Sequence, residues 1–376
     1  MSGTVYLDYN ATAPVRPEVV RGMVDVLTEP GNPSSVHGFG RAARYALDEA
    51  RARVAALVGV APERVVFASG GTEANALALH GLGNGRRLVS AVEHVSVGEA
   101  AAACVGGCEV VPVDAEGRVD TAAFDTLLDS GGGPGLFCVM AANNETGVVQ
   151  PVAVLAARAH EAGFRVHCDA VQAAGRVALD MMALGVDSLA ISAHKIGGPA
   201  GVGALVLGKG DEPEPLIVGG GQEHGRRAGT ENVAGIVGFG IAAELAQTEL
   251  SRIGEIAALR DSLEHQLRAV CPELAIFGAG APRLANTSCL AMPGLGNETQ
   301  VMAFDLEGIA LSAGSACSSG KVGPSHVLAA MGVAPKQAGE AIRVSLGWAS
   351  TRADIDRFVD VWRALYVRAQ SRRPAA

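Results

Sequence analysis

Lys195 sits in SAHKIGGPAG, residues 192–201, directly after the apolar run SLAI and before a Gly/Pro-rich turn. A lysine so placed points into a crevice with little access to water. Desolvation lowers its pKa and frees the amine for Schiff-base chemistry. Taken alone, such a lysine is more often a surface residue at a strand end. Asp169 follows another apolar run, in FRVHCDAVQ. A buried carboxylate needs a cationic partner, and a pyridinium N–H would serve. SGGTEAN, residues 69–75, follows RVVFA and opens a helix. The backbone N–H groups of Gly71 and Thr72, with the Thr72 hydroxyl, can hold a phosphate there through the helix dipole. An ordinary helix cap explains that segment equally well by itself. It is not the GxGxxG of a dinucleotide site, which argues against NAD. A phosphate cup, a crevice lysine and an aspartate together are the parts of a pyridoxal 5'-phosphate (PLP) site. His94, in SAVEH, can lie flat on such a ring, although alone it would be a core histidine.

Cys317 raises a different question. It lies in LSAGSACSSGKVGPS, residues 311–325, with mostly Ser, Gly and Ala close on either side. Nothing bulky there can bury the thiol. A segment of small residues has few contacts to break and can carry a sulfur between a crevice and the surface. On composition alone the thiol is incidental. The chain has seven cysteines, Cys104, Cys108, Cys138, Cys168, Cys271, Cys289 and Cys317, with no CxxC pair. That spacing argues against a metal or cluster scaffold. Cys138, Cys168 and Cys289 lie in apolar runs and read as small core hydrophobes.

These residues need a scaffold. From about residue 64 to 210, short β-branched runs alternate with helical stretches: RVVFAS, RRLVSAVEH, LFCVMA, FRVHCDA, SLAISA and VGALVLG read as strands. The alternation predicts an α/β fold with a mostly parallel sheet. SGGTEAN, EH, NNETG (143–147), DAVQ and SAHKIGGPAG all fall where strands end, and the carboxyl ends of such strands form the ligand crevice. From about residue 245 the pattern predicts a long amphipathic helical run kinked at Gly254, then strands NTSCLAM and AIRVSLG and a terminal helix. The expected division is a large PLP-binding α/β domain over 16–250. A small α+β domain over 1–15 and 251–376 then carries the Cys317 segment. The 376 residues suit about two domains. A net charge of −9 offers no broad positive field for nucleic acid or an anionic membrane. No signal peptide or run of about 18 apolar residues stands out, so a reducing cytoplasm is expected.

The motifs YLDYNATAP, GNPSSVHGFG, SGGTEANALA, NNETGVVQP, HCDAVQ, SAHKIGGPAGVGAL, GGGQEHGRRAGTENV, GSACSSG and AIRVSLG run in this order from residue 5 to 347. With them the chain resembles cysteine desulfurases of the NifS/IscS kind, class-V aminotransferase-like enzymes of PLP fold type I. The long form of the Cys317 segment resembles the first subgroup. The resemblance implies conversion of L-cysteine to L-alanine, with sulfur moving to Cys317 as a persulfide and on to an acceptor such as an iron–sulfur scaffold. It implies Lys195 as the Schiff-base lysine, Asp169 on the pyridine nitrogen, and Gln172 and Asn144 near the phenolic oxygen. His94 would stack on the ring and shuttle a proton. Gly71, Thr72, Ser192 and His194 would bind the phosphate, and Thr230 the phosphate of a neighbouring subunit in a homodimer. Arg343, Asn32 and Asn144 would face the substrate, Arg343 as a two-pronged carboxylate clamp. Cys317 is also a candidate ligand of an iron–sulfur cluster shared with a scaffold. One departure is His224, where the family often has a residue that stays charged. A selenocysteine lyase, an aminotransferase and a non-enzymatic cluster scaffold are the competing readings. The first two share the PLP site without needing Cys317, and lack of bound PLP would favour the third.

Overall fold

The computed structural model describes residues 4–83, 85–313 and 324–371. Seven strands form the main sheet, in the spatial order Val65–Ala68, Gly203–Leu207, Ser188–Ser192, Arg165–Asp169, Gly135–Met140, Arg86–Ser90, Glu109–Val111. Gly203–Leu207 runs antiparallel to both of its neighbours, and the other pairings are parallel. The inner strands Gly135–Met140, Ser188–Ser192 and Gly203–Leu207 are mostly apolar and buried along their whole length, as a parallel sheet covered by helices requires. Each crossover returns the chain so that the next strand starts at the same edge. The polar segments 69–75, 93–94, 142–144, 169–172 and 192–195 are thereby gathered at one edge of the sheet.

A second apolar core joins Val5 and Leu7 to Leu263, Leu267, Phe304, Phe358 and Trp362. Its sheet has four antiparallel strands in the order Ser312–Ala313, Ala341–Ser345, Thr287–Ala291, Ala275–Ile276. Val5–Tyr6 pairs in parallel with Ile309–Ala310. The amino-terminal segment then crosses from this core to the rim of the large sheet.

The expected kink at Gly254 is corrected. Helix Val233–Glu249 ends, one 3₁₀ turn spans Leu250–Arg252, and a second helix runs from Ile253 to Val270. Gly254 lies inside that second helix, where an added Cβ would meet nothing. The break falls where the chain passes from one core to the other. The first helix is not amphipathic. It packs among helices Pro17–Leu27 and Gly38–Leu57, so apolar residues cover most of its circumference. Gly240 there lies so close to Ala50 that a Cβ would come within 2.6 Å of its Cα. Among the described residues this broken run, 233–270, is long and apolar enough to cross a membrane, but half of its most apolar window is buried against the protein.

Candidate active site

A cavity of about 310 Å³ opens at the carboxyl edge of the large sheet. Lys195, Asp169, His94, Gly71, Thr72, Asn144, Gln172, Ser192, His194 and Arg343 all line it. Lys195 comes from the 3₁₀ turn Ala193–Lys195 that follows strand Ser188–Ser192. Its Nζ donates to the backbone carbonyls of Asn10 at 2.6 Å and Ala11 at 2.7 Å. The amino-terminal segment thus forms the wall that holds the lysine. His194, next to it, has its pKa pulled down to about 4, by burial first and then by the charges of Lys195 and Arg176.

Asp169 ends its strand and accepts from two donors, Val171 N at 3.0 Å and Asn75 Nδ2 at 2.8 Å. Glu93 lies fully buried nearby. Burial, then the Asp169 charge, pushes its pKa well above the usual carboxylate range. Its Oε1 accepts from Met140 N at 2.7 Å, while Oε2 has no partner among the described residues. Of these two carboxyl groups burial disfavours charge on Glu93, while Asp169 is the one that lines the cavity.

Asn75 sits one helical turn beyond Thr72, so both face the cavity. Its Nδ2 donates both to Asp169 and, at 3.0 Å, to Ser96 Oγ. Its Oδ1 lies 3.0 Å from His167 Nε2, and His167 Nδ1 lies 2.8 Å from Ser188 Oγ. Burial pulls His167 down to about 4, against the opposing charge of Asp169. In the unfolded chain a histidine titrates near 6.5. Between those values the unfolded state binds a proton that the folded state refuses. Stability is therefore complete above about pH 6.5 and is lost as pH falls toward about 4. Between about pH 7 and about pH 5 this one group removes roughly 2 kcal/mol. His167→Gln should shrink the acid-induced loss of unfolding free energy, read from urea titrations at the two pH values, by that amount. An unchanged shift would show that His167 is protonated in the fold.

Arg343 rises from strand Ala341–Ser345 and is 1% exposed. It donates through Nη2 to Asp8 Oδ1 at 2.8 Å and through Nη1 to Asn144 O at 3.1 Å. Its guanidinium has further N–H groups for a carboxylate ligand. Gln172 donates to Asn10 O at 3.0 Å, and its Oε1 accepts from Arg176. Asp8, Asn10, Asn75 and Ser96 are site residues that the sequence reading missed. Asn10 and Asn75 stand within quoted motifs, and the helical spacing from Thr72 was the available signal for Asn75.

Two expected residues lie apart. Asn32 is on an exposed turn, where its Oδ1 accepts from Ser34 N at 2.9 Å. Thr230 is exposed and borders a separate hollow with Phe67, Ser69 and Arg227. The turn before it is tightly folded: Glu223 and His224 have φ of 48° and 59°, a left-handed conformation that side chains disfavour. The buried Glu223 carboxylate accepts from Arg51 twice at 2.7 Å and from Phe67 N at 2.9 Å, which offsets that strain. Cys317 lies outside the described residues. Cys138, Cys168 and Cys289 are fully buried, as their apolar runs predict. Among the described residues no group of His, Cys, Asp or Glu side chains is arranged to hold a metal ion.

The donor set fits a phosphorylated pyridine aldehyde. Helix Gly71–Gly81 starts at Gly70, which offers no side-chain cap, so its first N–H groups look for an acceptor in the cavity. A Cβ on Gly71 would come within 2.8 Å of Val171, so glycine keeps that end of the cavity open. Asp169 supplies an acceptor for a ring N–H, and Lys195 an amine. The model of the class-V aminotransferase family matches residues 5–358. The chain belongs to that family. Within it, the chain is 46% identical over 371 residues to a cysteine desulfurase of Cereibacter sphaeroides, covering 95% of this chain and 94% of the relative. It is 41% identical to the cysteine desulfurase IscS of Dictyoglomus turgidum, covering 96% and 94%. A solved NifS-like protein from Rickettsia africae superimposes with a TM-score of 0.90 at 34% identity, covering 97% of this chain and 99% of the other. This class-V enzyme therefore has the fold of type I PLP enzymes, and PLP is its cofactor.

Proposed function

We propose that this class-V enzyme is a cysteine desulfurase that converts L-cysteine to L-alanine and moves the sulfur to Cys317 as a persulfide. The observation that carries this is the meeting of Lys195, Asp169, His94, Arg343 and an uncapped helix N-terminus in one cavity, in a chain so similar to cysteine desulfurases. In the cavity Gly71, Thr72, Ser192 and His194 would hold the phosphate of PLP, Asp169 would keep its ring nitrogen protonated, and Gln172 and Asn144 would bind near its phenolic oxygen. Bound PLP supplies an electron sink at the substrate Cα, which in turn weakens the Cβ–S bond. Arg343 grips the substrate carboxylate and fixes which Cα bond is presented. Lys195 Nζ takes the Cα proton, with a nearby base worth roughly 10²–10⁴-fold in rate. The Cys317 thiolate attacks the substrate sulfur. An S–S bond forms as the Cβ–S bond breaks with its electron pair going to Cβ; Cβ takes up a proton, and Cα regains the proton held on Lys195 Nζ, which gives alanine.

The attachment of the Cys317 segment supports this reading. Before it, Ser312 donates to Asp8 Oδ2 at 2.7 Å and pairs with Arg343. After it, Ser325 donates to the buried Glu145 at 2.5 Å. Glu145 neighbours Asn144, and burial raises its pKa despite the Ser325 hydrogen bond. Both anchors adjoin the cavity. Covalent geometry keeps Cys317 within about 14 Å of Ala313.

A homodimer belongs to the same proposal. Val20, Val24 and Leu27 on one helix, with Phe39, Tyr45 and the run Leu216–Val218, are exposed apolar side chains, the kind of surface a second subunit covers. Thr230 then serves the partner subunit's phosphate, and Asn32 borders the substrate entrance. We further place the large domain at 16–250 and the small one at 1–15 with 251–376, in a cytoplasmic enzyme. Its acceptor is a sulfur-accepting protein such as an iron–sulfur scaffold, with Cys317 able to ligate a cluster shared with it. The test is alanine and sulfide released from L-cysteine with a reductant present. Equal amounts of both support the desulfurase. Amino transfer to a keto acid without sulfide would overturn it.

A further inference from the structure

The hydrogen bonds around Asn75 have a definite direction. A carboxylate only accepts, so the side of the Asn75 amide that faces Asp169 Oδ2 is its NH₂. The Asn75 oxygen must then face His167, whose Nε2 carries the proton. With Nε2 protonated in the neutral ring, His167 Nδ1 accepts from the Ser188 hydroxyl. On the other side, the second Asn75 N–H donates to Ser96 Oγ. That hydroxyl has its own hydrogen left for His94 Nδ1, 2.8 Å away. A second, independent donor reaches the same nitrogen. His94 caps the helix Val95–Ala103, and its Nδ1 accepts from Ser96 N at 3.2 Å. A backbone N–H can only donate. Two lines of evidence thus make His94 Nδ1 an acceptor.

We propose that Asn75 and Ser96 are positioning residues that lock the neutral His94 ring with its proton on Nε2. His94 then meets the substrate sulfur as a hydrogen-bond donor and not as a base. The part about substrate rests on the desulfurase reading above. The lock itself does not. Moving the His94 proton to Nδ1 would set it against the Ser96 backbone N–H, and the Ser96 hydroxyl, already accepting from Asn75, would lose its own acceptor there. The same amide that orients Asp169 toward a ring nitrogen therefore also sets the tautomer of the histidine on that ring. It does so through one hydroxyl, Ser96 Oγ. One consequence is that proton removal from the substrate falls to Lys195 alone.

The test is nitrogen NMR of the full-length holoenzyme labelled with [15N]histidine, with His94→Gln used to assign the ring. The expected spectrum has a pyridine-type Nδ1 and a pyrrole-type Nε2 for His94. In Ser96→Ala the Nδ1 resonance should move toward the free pyridine-type value, because one of its two donors is gone. Turnover on L-cysteine, as kcat/KM, should fall about tenfold, since one neutral hydrogen bond is lost. Ser96→Thr keeps the hydroxyl and should restore both. Asn75→Ala should move the same resonance in the same direction, and the two Ser96 variants carry the test if that protein fails to fold. A protonated Nδ1 in the wild type overturns the proposal, as does an Nδ1 resonance unmoved by Ser96→Ala. If the spectra are as expected but L-cysteine yields no alanine, the desulfurase reading fails and the tautomer lock stands.

Discussion

Cys317→Ala should release no sulfide from L-cysteine above the enzyme-free background, while the protein keeps its yellow PLP absorbance. The physical reason is a division of labour. In the proposed mechanism the cavity residues bind and polarise the substrate, but among the described residues that line it none is a thiol. The other six cysteines are poor substitutes. Cys138 and Cys168 are fully buried, with thiol pKa values pushed well above normal by burial, and Cys289 is also raised by burial. Cys108 and Cys271 are raised as well, again by burial first. A thiol held protonated is a weak nucleophile. Cys104 packs against His80 and the carbonyl of Ala100 at the opposite end of helix Val95–Ala103 from His94. Mass mapping of wild-type protein after turnover should find the additional sulfur on the peptide carrying Cys317. Sulfide release from Cys317→Ala at the wild-type rate would remove this residue from the mechanism.

Lys195→Ala should lower alanine formation by about four orders of magnitude, the upper range for loss of a positioned base. It also removes the amine proposed to anchor the cofactor. Borohydride reduction of the wild type, followed by peptide mapping, should leave a pyridoxyl group on Lys195 and none on the variant. Folding should suffer little, because Lys195 belongs to neither of the two large apolar cores. An unmodified Lys195 in yellow, reduced wild-type protein would refute its role.

Lys195 and Asp169 were legible in the sequence because each follows an apolar strand directly. In an α/β sheet that local fact predicts a place at the carboxyl edge. His94 was legible for the same reason. Asp8 and Asn10 were not, since their partners are remote in sequence. Asp8 meets Arg343, and Asn10 meets Thr287 Oγ1 at 2.9 Å. No periodicity encodes such pairings. Asn75 lies inside a recognised motif, but its importance comes from His167 and Ser96 on two other elements. The misplaced kink has a similar origin. Glycine is a weak helix residue, yet the helix stops where the chain changes cores, and Gly254 is tolerated on an open face. Thr230 illustrates another limit: its proposed ligand belongs to a second subunit, so a single chain leaves it bordering a hollow of its own.

The amino-terminal segment has a consequence for how the enzyme comes to exist. Its Asn10 backbone is held by Ser345, 335 positions away, and its first strand pairs with Ile309–Ala310. The same few residues supply the carbonyls on which the Lys195 amine rests. During synthesis the segment around Asn10 leaves the ribosome well before Ser345 and must wait for it. Contacts so distant in sequence form late and slowly. The sheet can assemble while the lysine still lacks its wall. Cofactor capture is then the closing event of biogenesis, and a nascent chain released early would carry a formed sheet and no working site. Pulse-labelled chains should become resistant to protease over residues 65–207 before they acquire PLP absorbance.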